Sequence, residues 1–168
     1  MTRASQAVRS CSIVLVDDDP LGLAMLQDLV EPLPGTRVTG FTDPAEALGW
    51  CAANPADVVI TDYSMPGVSG IELIRALRAC EGMREIPIMM ITASEDREVR
   101  YEALELGAND FLGKPIDRLE VKARTLNMLA IRRGQQEAAE RAQMLEREVR
   151  SATEALHERE HEMILRLA

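Results

Sequence analysis

With 168 residues, 46% of them apolar and only 3% aromatic, the chain can build one domain of ordinary size around an aliphatic core, with residues left for an appendage. A formal net charge of −9 argues against nucleic acid or an anionic membrane as a direct partner, since both call for clustered Lys and Arg; a local anion site remains open. Cys11, Cys51 and Cys80 form no C-x-x-C pair and no Cys/His cluster, so they point to reduced thiols in the cytoplasm rather than to a disulfide framework or a zinc site.

Residues 1–11 carry Arg3 and Arg9 and read as a flexible N-terminus; the apolar run after them is too short for a signal peptide or a membrane span. Ser12 to Val16 is apolar without polar alternation, the pattern of a buried strand, and Asp17-Asp18-Asp19-Pro20 ends it. Asp19 can cap a helix that begins at Pro20 and turns Leu21, Met25, Leu26, Leu29 and Val30 to the core. Pro32 to Gly35 stops it, and Arg37 to Phe41 is a second, weaker strand. Asp43 caps a helix in the same way, closed by Asn54-Pro55. Val58 to Thr61 is the third strand, followed by Asp62 and the turn Met65-Pro66-Gly67. Ser69-Gly70 leads into a helix with Ile71, Leu73, Ile74 and Leu77 inward, closing near Gly82. Ile88 to Ile91 is a strong strand ending at Thr92-Ala93-Ser94; a helix from about Asp96 to Leu106 ends at Gly107; Phe111-Leu112 is a short fifth strand before Gly113-Lys114-Pro115; and Asp117 begins a last helix.

Strand and helix thus alternate five times, with strands apolar on both faces. This predicts an α/β, doubly wound parallel sheet covered by helices on each side, with every strand C-terminus on one edge. Ligands bind at that edge in such folds. The residues placed there are Asp17 and Asp18, Asp62, Thr92 with Ser94 nearby, and Lys114. Crowded carboxylates favour a divalent cation, a carboxylate can itself attack phosphorus, and an ammonium and a hydroxyl can hold phosphoryl oxygens. An Asp also ends strands and caps turns routinely, and for Asp19 the cap explains the residue in full.

These pieces together, residues 12 to about 125, resemble the response-regulator receiver domain of bacterial two-component signalling. The resemblance implies a flavodoxin-like sheet of order 2-1-3-4-5. It implies that Asp62 accepts a phosphoryl group from a sensor histidine kinase or phosphotransfer protein. Mg2+, with Mn2+ as a substitute, would be held by Asp18, Asp62 and the backbone carbonyl of Ser64, and by Asp17 through water. Thr92 and Lys114 would bind the phosphoryl group, and Phe111 would be an aromatic switch coupled to Thr92. The side chains of Ser64 and Ser94 would tune hydrolysis, and Pro115 would follow a cis peptide bond.

The division expected is a receiver over 12–128 and a signalling helix over 129–168. From Asp117 the last helix has about 52 residues, or about 78 Å, with Gly134 its one weak point. A seven-residue frame places Met128, Gln135, Ala142, Val149, Leu156 and Met163 at one core position. Ile131, Ala138, Leu145, Ala152, Arg159 and Arg166 take the other, and near the end Ile164 and Leu167 shift the stripe. A dimeric coiled coil follows as an expectation. The apolar, uncapped end suggests a missing output domain; Glu154 to Ala168 resembles the linker entering HD-GYP domains, which hydrolyse cyclic di-GMP, and a diguanylate cyclase, a serine phosphatase or a histidine kinase can also follow such a linker. Two other readings compete: a haloacid-dehalogenase-like phosphatase using Asp17, which would leave Asp62 without a role, and a stand-alone receiver or dimer scaffold.

Overall fold

The computed structural model of the chain describes residues 10–93 and 97–167. The first half of the chain holds β1 (Cys11–Val16), α1 (Pro20–Val30), β2 (Thr36–Phe41), α2 (Pro44–Ala53) and β3 (Val58–Asp62). α3 (Gly70–Ala79), β4 (Ile88–Thr92), α4 (Arg97–Glu105), β5 (Asp110–Gly113) and α5 (Arg118–Leu167) follow. The five strands pair in parallel in the order β2-β1-β3-β4-β5, the doubly wound topology expected from the sequence.

The period-2 alternation of the strands builds two aliphatic layers. Val14, Val16, Val59 and Met90 point to one side, where Ile71, Leu73, Ile74 and Leu77 of α3 cover them. Ile13, Leu15, Val58, Ile60, Met89 and Ile91 point to the other, against α1 and against Val121, Met128 and Leu129 of α5. With both faces covered, β1, β3 and β4 have no solvated side, which is why they read as unbroken apolar runs, while the edge strands β2 and β5 stay partly exposed.

Helix starts follow local chemistry. The Asp19 carboxylate accepts from the backbone N–H groups of Leu21 and Gly22, and Asp43 from that of Ala45, each followed by Pro at the first helical position. Ser69 and Glu72 form a reciprocal capping box on α3. The Glu72 carboxyl is held below its ordinary range by the Ser69 N–H and hydroxyl.

Two expectations need correction. On α1 the residues facing the core are Leu23, Leu26 and Val30, whereas Leu21 is 69% exposed and Met25 57%. Leu21 and Met25 lie one turn apart on a neighbouring stripe, and the burying stripe runs through Leu23 instead. α3 also ends at Ala79, before Gly82, and a 3-10 turn over Glu81–Met83 follows it, tucking Met83 into the core.

Arg78 fastens this region to the far side of α4. Its guanidinium donates to the carbonyls of Met83 and Ile86, each at 2.8 Å, to that of Gly107 at 2.6 Å, and to the side-chain oxygen of Asn109 at 3.1 Å. That Asn109 oxygen also accepts the Ile88 N–H at the start of β4. Gly107 ends α4 at φ +100°, and a Cβ there would meet Arg78 Nε at 2.7 Å, so the turn has to be glycine twice over. Burial lowers the pKa of Arg78, and its carbonyl partners replace the lost water.

At the opposite edge of the sheet, Asp57 precedes β3. Its carboxylate accepts the Ser12 N–H at 2.9 Å and lies 3.5 Å from Arg132 Nε. The three cysteines are free, and burial pushes the Cys51 thiol up to about 11.

The chain divides into two compact units, one closing at Arg132 and the other running from Arg133. In the second unit Met144, Leu145, Val149, Leu156 and Met163 are each 60–65% exposed. Among the described residues no helix is long and apolar enough to cross a membrane. The expectations for residues 1–9 and for a helix start at Asp96 lie outside the described residues, as do the side chains of Ile164 and Leu167.

Replacing Arg78 by Ala leaves three carbonyls and Asn109 short of a donor in a half-buried site. Urea unfolding of Arg78→Ala should show a loss of about 2–4 kcal/mol, with the slope against urea unchanged.

Candidate functional site

Parallel pairing brings four chain segments to one edge. Asp17 follows β1 directly, and its N–H donates to the Phe41 carbonyl, so the ladder with β2 holds its backbone. Asp62 is the last residue of β3, and the next N–H, of Tyr63, donates to the Ile91 carbonyl. Thr92 closes β4, and its carbonyl accepts the Lys114 N–H at 2.9 Å, extending the β4–β5 ladder to the lysine. The positions of these groups are therefore set by strand register, the least deformable part of the fold.

Asp17, Asp62 and Thr92 are buried, and Asp18 is half-buried. Asp17, Asp18 and Asp62 each offer a carboxylate oxygen within 4.8 Å of the others. The Lys114 ammonium lies 2.6 Å from Asp62 Oδ1, while Asp62 Oδ2 accepts the Ser64 N–H at 3.1 Å. Asp17 Oδ1 accepts the Asp19 N–H at 3.0 Å. Asp19 stands outside the carboxylate group and caps α1. Phe111 is half-buried on β5 and packs against the α3-side layer. The Lys114–Pro115 peptide is cis. Ser94 lies outside the described residues.

Burial raises the Asp17 carboxyl above its ordinary value; the Asp19 N–H opposes this, Asp62 adds to it, and Lys114 and Asp18 contribute smaller effects of opposite sign. Burial pulls the Lys114 ammonium down, but the hydrogen bond and charge of Asp62, reinforced by Asp17 and Asp18, outweigh it and its pKa is raised. Three carboxylates facing one ammonium leave an excess of negative charge and of hard oxygen donors. That donor set fits a divalent cation such as Mg2+, and Mn2+ takes the same ligands.

Two glycines belong to the site and carry no chemical signal in the sequence. A Cβ on Gly22, in the first turn of α1, would stand 2.8 Å from Asp17 Oδ2. A Cβ on Gly70 would stand 2.4 Å from the Asp62 carbonyl oxygen. Both let a helix start press against an acidic strand end. The available signal was indirect: glycine inside a helix costs about 1 kcal/mol relative to Ala and therefore asks for a reason.

The chain belongs to the response regulator receiver domain family, whose pattern matches residues 13–126. It is 40% identical over 158 residues to the cyclic di-GMP phosphodiesterase response regulator RpfG of Xanthomonas campestris, covering 94% of this chain and 42% of that protein. The chain thus spans less than half of that relative. It is 34% identical over 103 residues to the chemotaxis protein CheY of Pseudomonas aeruginosa, covering 61% of this chain and 83% of CheY. Among solved structures, the signal receiver domain of an HD domain-containing protein from Pseudomonas fluorescens superposes with a TM-score of 0.69 at 26% identity, over 75% of this chain and 99% of that one. The receiver domain of a sensor histidine kinase from Pseudomonas aeruginosa, solved with a magnesium ion in its active-site cleft, gives 0.66 at 29% identity, over 72% and 98%. Receiver domains accept a phosphoryl group from histidine kinases and generally bind Mg2+ at an acidic pocket, and Asp17, Asp18 and Asp62 form an acidic cluster in this chain.

Two outcomes follow. Gly22→Ala should displace the Asp17 carboxylate and weaken Mg2+ binding at least about tenfold while leaving the thermal midpoint nearly unchanged, because Ala is the better helix former; calorimetric Mg2+ titration reads the first and a melt the second. The raised pKa of Asp17 means that the folded state favours the protonated acid, so its stabilising contribution is present below the ordinary carboxylate range and is lost as pH rises through the folded value. Asp17→Asn cannot ionise, so in metal-free buffer at pH 7 it should melt above the parent chain, with the gap closing toward pH 3.

Proposed function

We propose that Asp62 is the phosphoacceptor of a response regulator, phosphorylated by a sensor histidine kinase or phosphotransfer protein in the cytoplasm. The observation that carries this reading is the Lys114 ammonium 2.6 Å from Asp62 Oδ1, beside the three clustered carboxylates. A carboxylate oxygen of Asp62 attacks phosphorus, the phosphorus–nitrogen bond of the donor phosphohistidine breaks, and the departing imidazole takes a proton from solvent. Lys114 moves from the carboxylate to a phosphoryl oxygen, and the Thr92 hydroxyl donates to another. Asp18, Asp62 and the Ser64 backbone carbonyl would hold Mg2+, with Asp17 acting through water. Bound there, Mg2+ would neutralise the charge gathered on the carboxylates and the phosphoryl oxygens. Phe111 follows Thr92 as the switch, and the small hydroxyl side chains of Ser64 and Ser94 set how readily water reaches the acyl phosphate.

The reading extends along the chain. Residues 12–128 are the receiver and 129–168 a signalling helix that pairs with a second copy as a coiled coil. The exposed Leu145, Val149 and Leu156 at the frame's core positions support the pairing. The similarity to RpfG runs over 94% of this chain and favours a cyclic di-GMP phosphodiesterase output of HD-GYP type. The net charge of −9 argues against nucleic acid or an anionic membrane surface as a direct partner. The phosphatase reading based on Asp17 is less well supported, because the ammonium sits on Asp62 and not on Asp17.

Acetyl phosphate with Mg2+ should label the chain at Asp62, and Asp62→Asn should abolish the label. A label that survives Asp62→Asn and maps to Asp17 turns the assignment over to the phosphatase reading. For the helix, Val149→Glu with Leu156→Glu in the full chain should convert a sedimenting dimer to a monomer; a parent chain that is already monomeric refutes the pairing.

A further inference from the structure

The chain contains only two histidines, and they stand four residues apart on α5. The run His157-Glu158-Arg159-Glu160-His161 fits H-E-x-x-H, the helical pattern in which two imidazoles one turn apart bind zinc from one face. The cysteine pattern gives no hint of this site. Both histidines are exposed, and with Glu158 and Glu162 they line one concavity on the helix surface. Residues at this spacing have Cβ atoms about 5–6 Å apart, within reach of a shared ion.

A second observation concerns the protons. His157 Nδ1 lies 3.0 Å from the Thr153 carbonyl oxygen. A carbonyl only accepts, so Nδ1 carries the hydrogen, and in the neutral ring this is the tautomer that leaves the Nε2 lone pair for a ligand. A backbone carbonyl on one ring nitrogen is how metal-ligating histidines are commonly oriented.

We propose that His157 and His161 bind one borderline divalent transition ion per chain, of the Zn2+ class, through their ring nitrogens, with water or a flanking carboxylate of Glu158 or Glu162 completing the shell. The nitrogen donors separate this site from the all-oxygen group at the sheet edge, which suits Mg2+. Peptide hydrolysis does not follow from the pattern. Such enzymes draw a third protein ligand, the chain has no third histidine, and among the described residues the one converging group of three candidate ligands is Asp17, Asp18 and Asp62. In the seven-residue frame that puts Leu156 and Met163 at the core, both histidines fall on the outer face, so the site is open whether or not the helix pairs.

The test is a ZnCl2 titration of the full chain in millimolar Mg2+, read by calorimetry and by the histidine ring nitrogen signals. The expected result is one ion per chain with a shift at His157 Nε2. His161→Gln should weaken binding at least about tenfold, and His157→Ala with His161→Ala should abolish it, with helix content by circular dichroism unchanged. Unaltered stoichiometry and affinity in the double variant overturns the site, as does zinc that stays in the double variant but leaves with Asp17→Asn and Asp18→Asn.

Discussion

Three carboxylates held within 4.8 Å of one another repel, and most of what is distinctive in this fold serves to keep them there. No single local motif could do so. Asp17 and Asp62 stand at the ends of neighbouring strands whose register is fixed by Ile13 opposite Val58 through Val16 opposite Thr61. A slip of one residue would turn Val14 and Val16 into the wrong layer, so the aliphatic packing on both faces also fixes the separation of the acids. Lys114 comes from two strands further on, and its N–H bond to the Thr92 carbonyl ties it to the same lattice. The lysine lessens the repulsion without cancelling it, and the remaining negative charge is what makes the edge receptive to a cation.

That dependence explains why so much was legible in the sequence. Strand ends are marked by abrupt changes from Val, Ile and Leu to Asp, Thr or Lys, and a parallel sheet gathers all such ends on one side. The helix caps at Asp19 and Asp43 and the gathering of Asp17, Asp18, Asp62 and Lys114 could therefore be anticipated, while the strand order came from the family resemblance. The stripe on α1 could not. Leu21, Leu23, Met25 and Leu26 offer competing apolar faces, and the choice depends on how α1 crosses the sheet, which is a tertiary matter. The Arg78 staple was hidden for a different reason: three of its four acceptors are backbone carbonyls, which every sequence supplies and none marks.

The two ends of β3 serve different structures. Asp62 belongs to the carboxylate cluster, while Asp57, just before the strand, holds the Ser12 N–H and faces Arg132 of α5. Between them lie Val58 to Thr61, all fully buried. α5 leaves the vicinity of Lys114 and reaches Arg132 at the other edge, running against the strands. Its packing through Val121, Met128 and Leu129 makes it part of the same core as the residues that carry the acids, so a displacement at the pocket and one at Arg132 are constrained by shared side chains.

Gly22 and Gly70 act through what they lack. A sequence that kept Asp17, Asp18, Asp62, Thr92 and Lys114 but carried a side chain at position 22 would pass any inspection of its functional groups, yet the Asp17 carboxylate would have to give up its place. Such a change leaves no missing acid behind, so a count of acids and lysines does not register it: the position to inspect is an apolar one in the first turn of a helix.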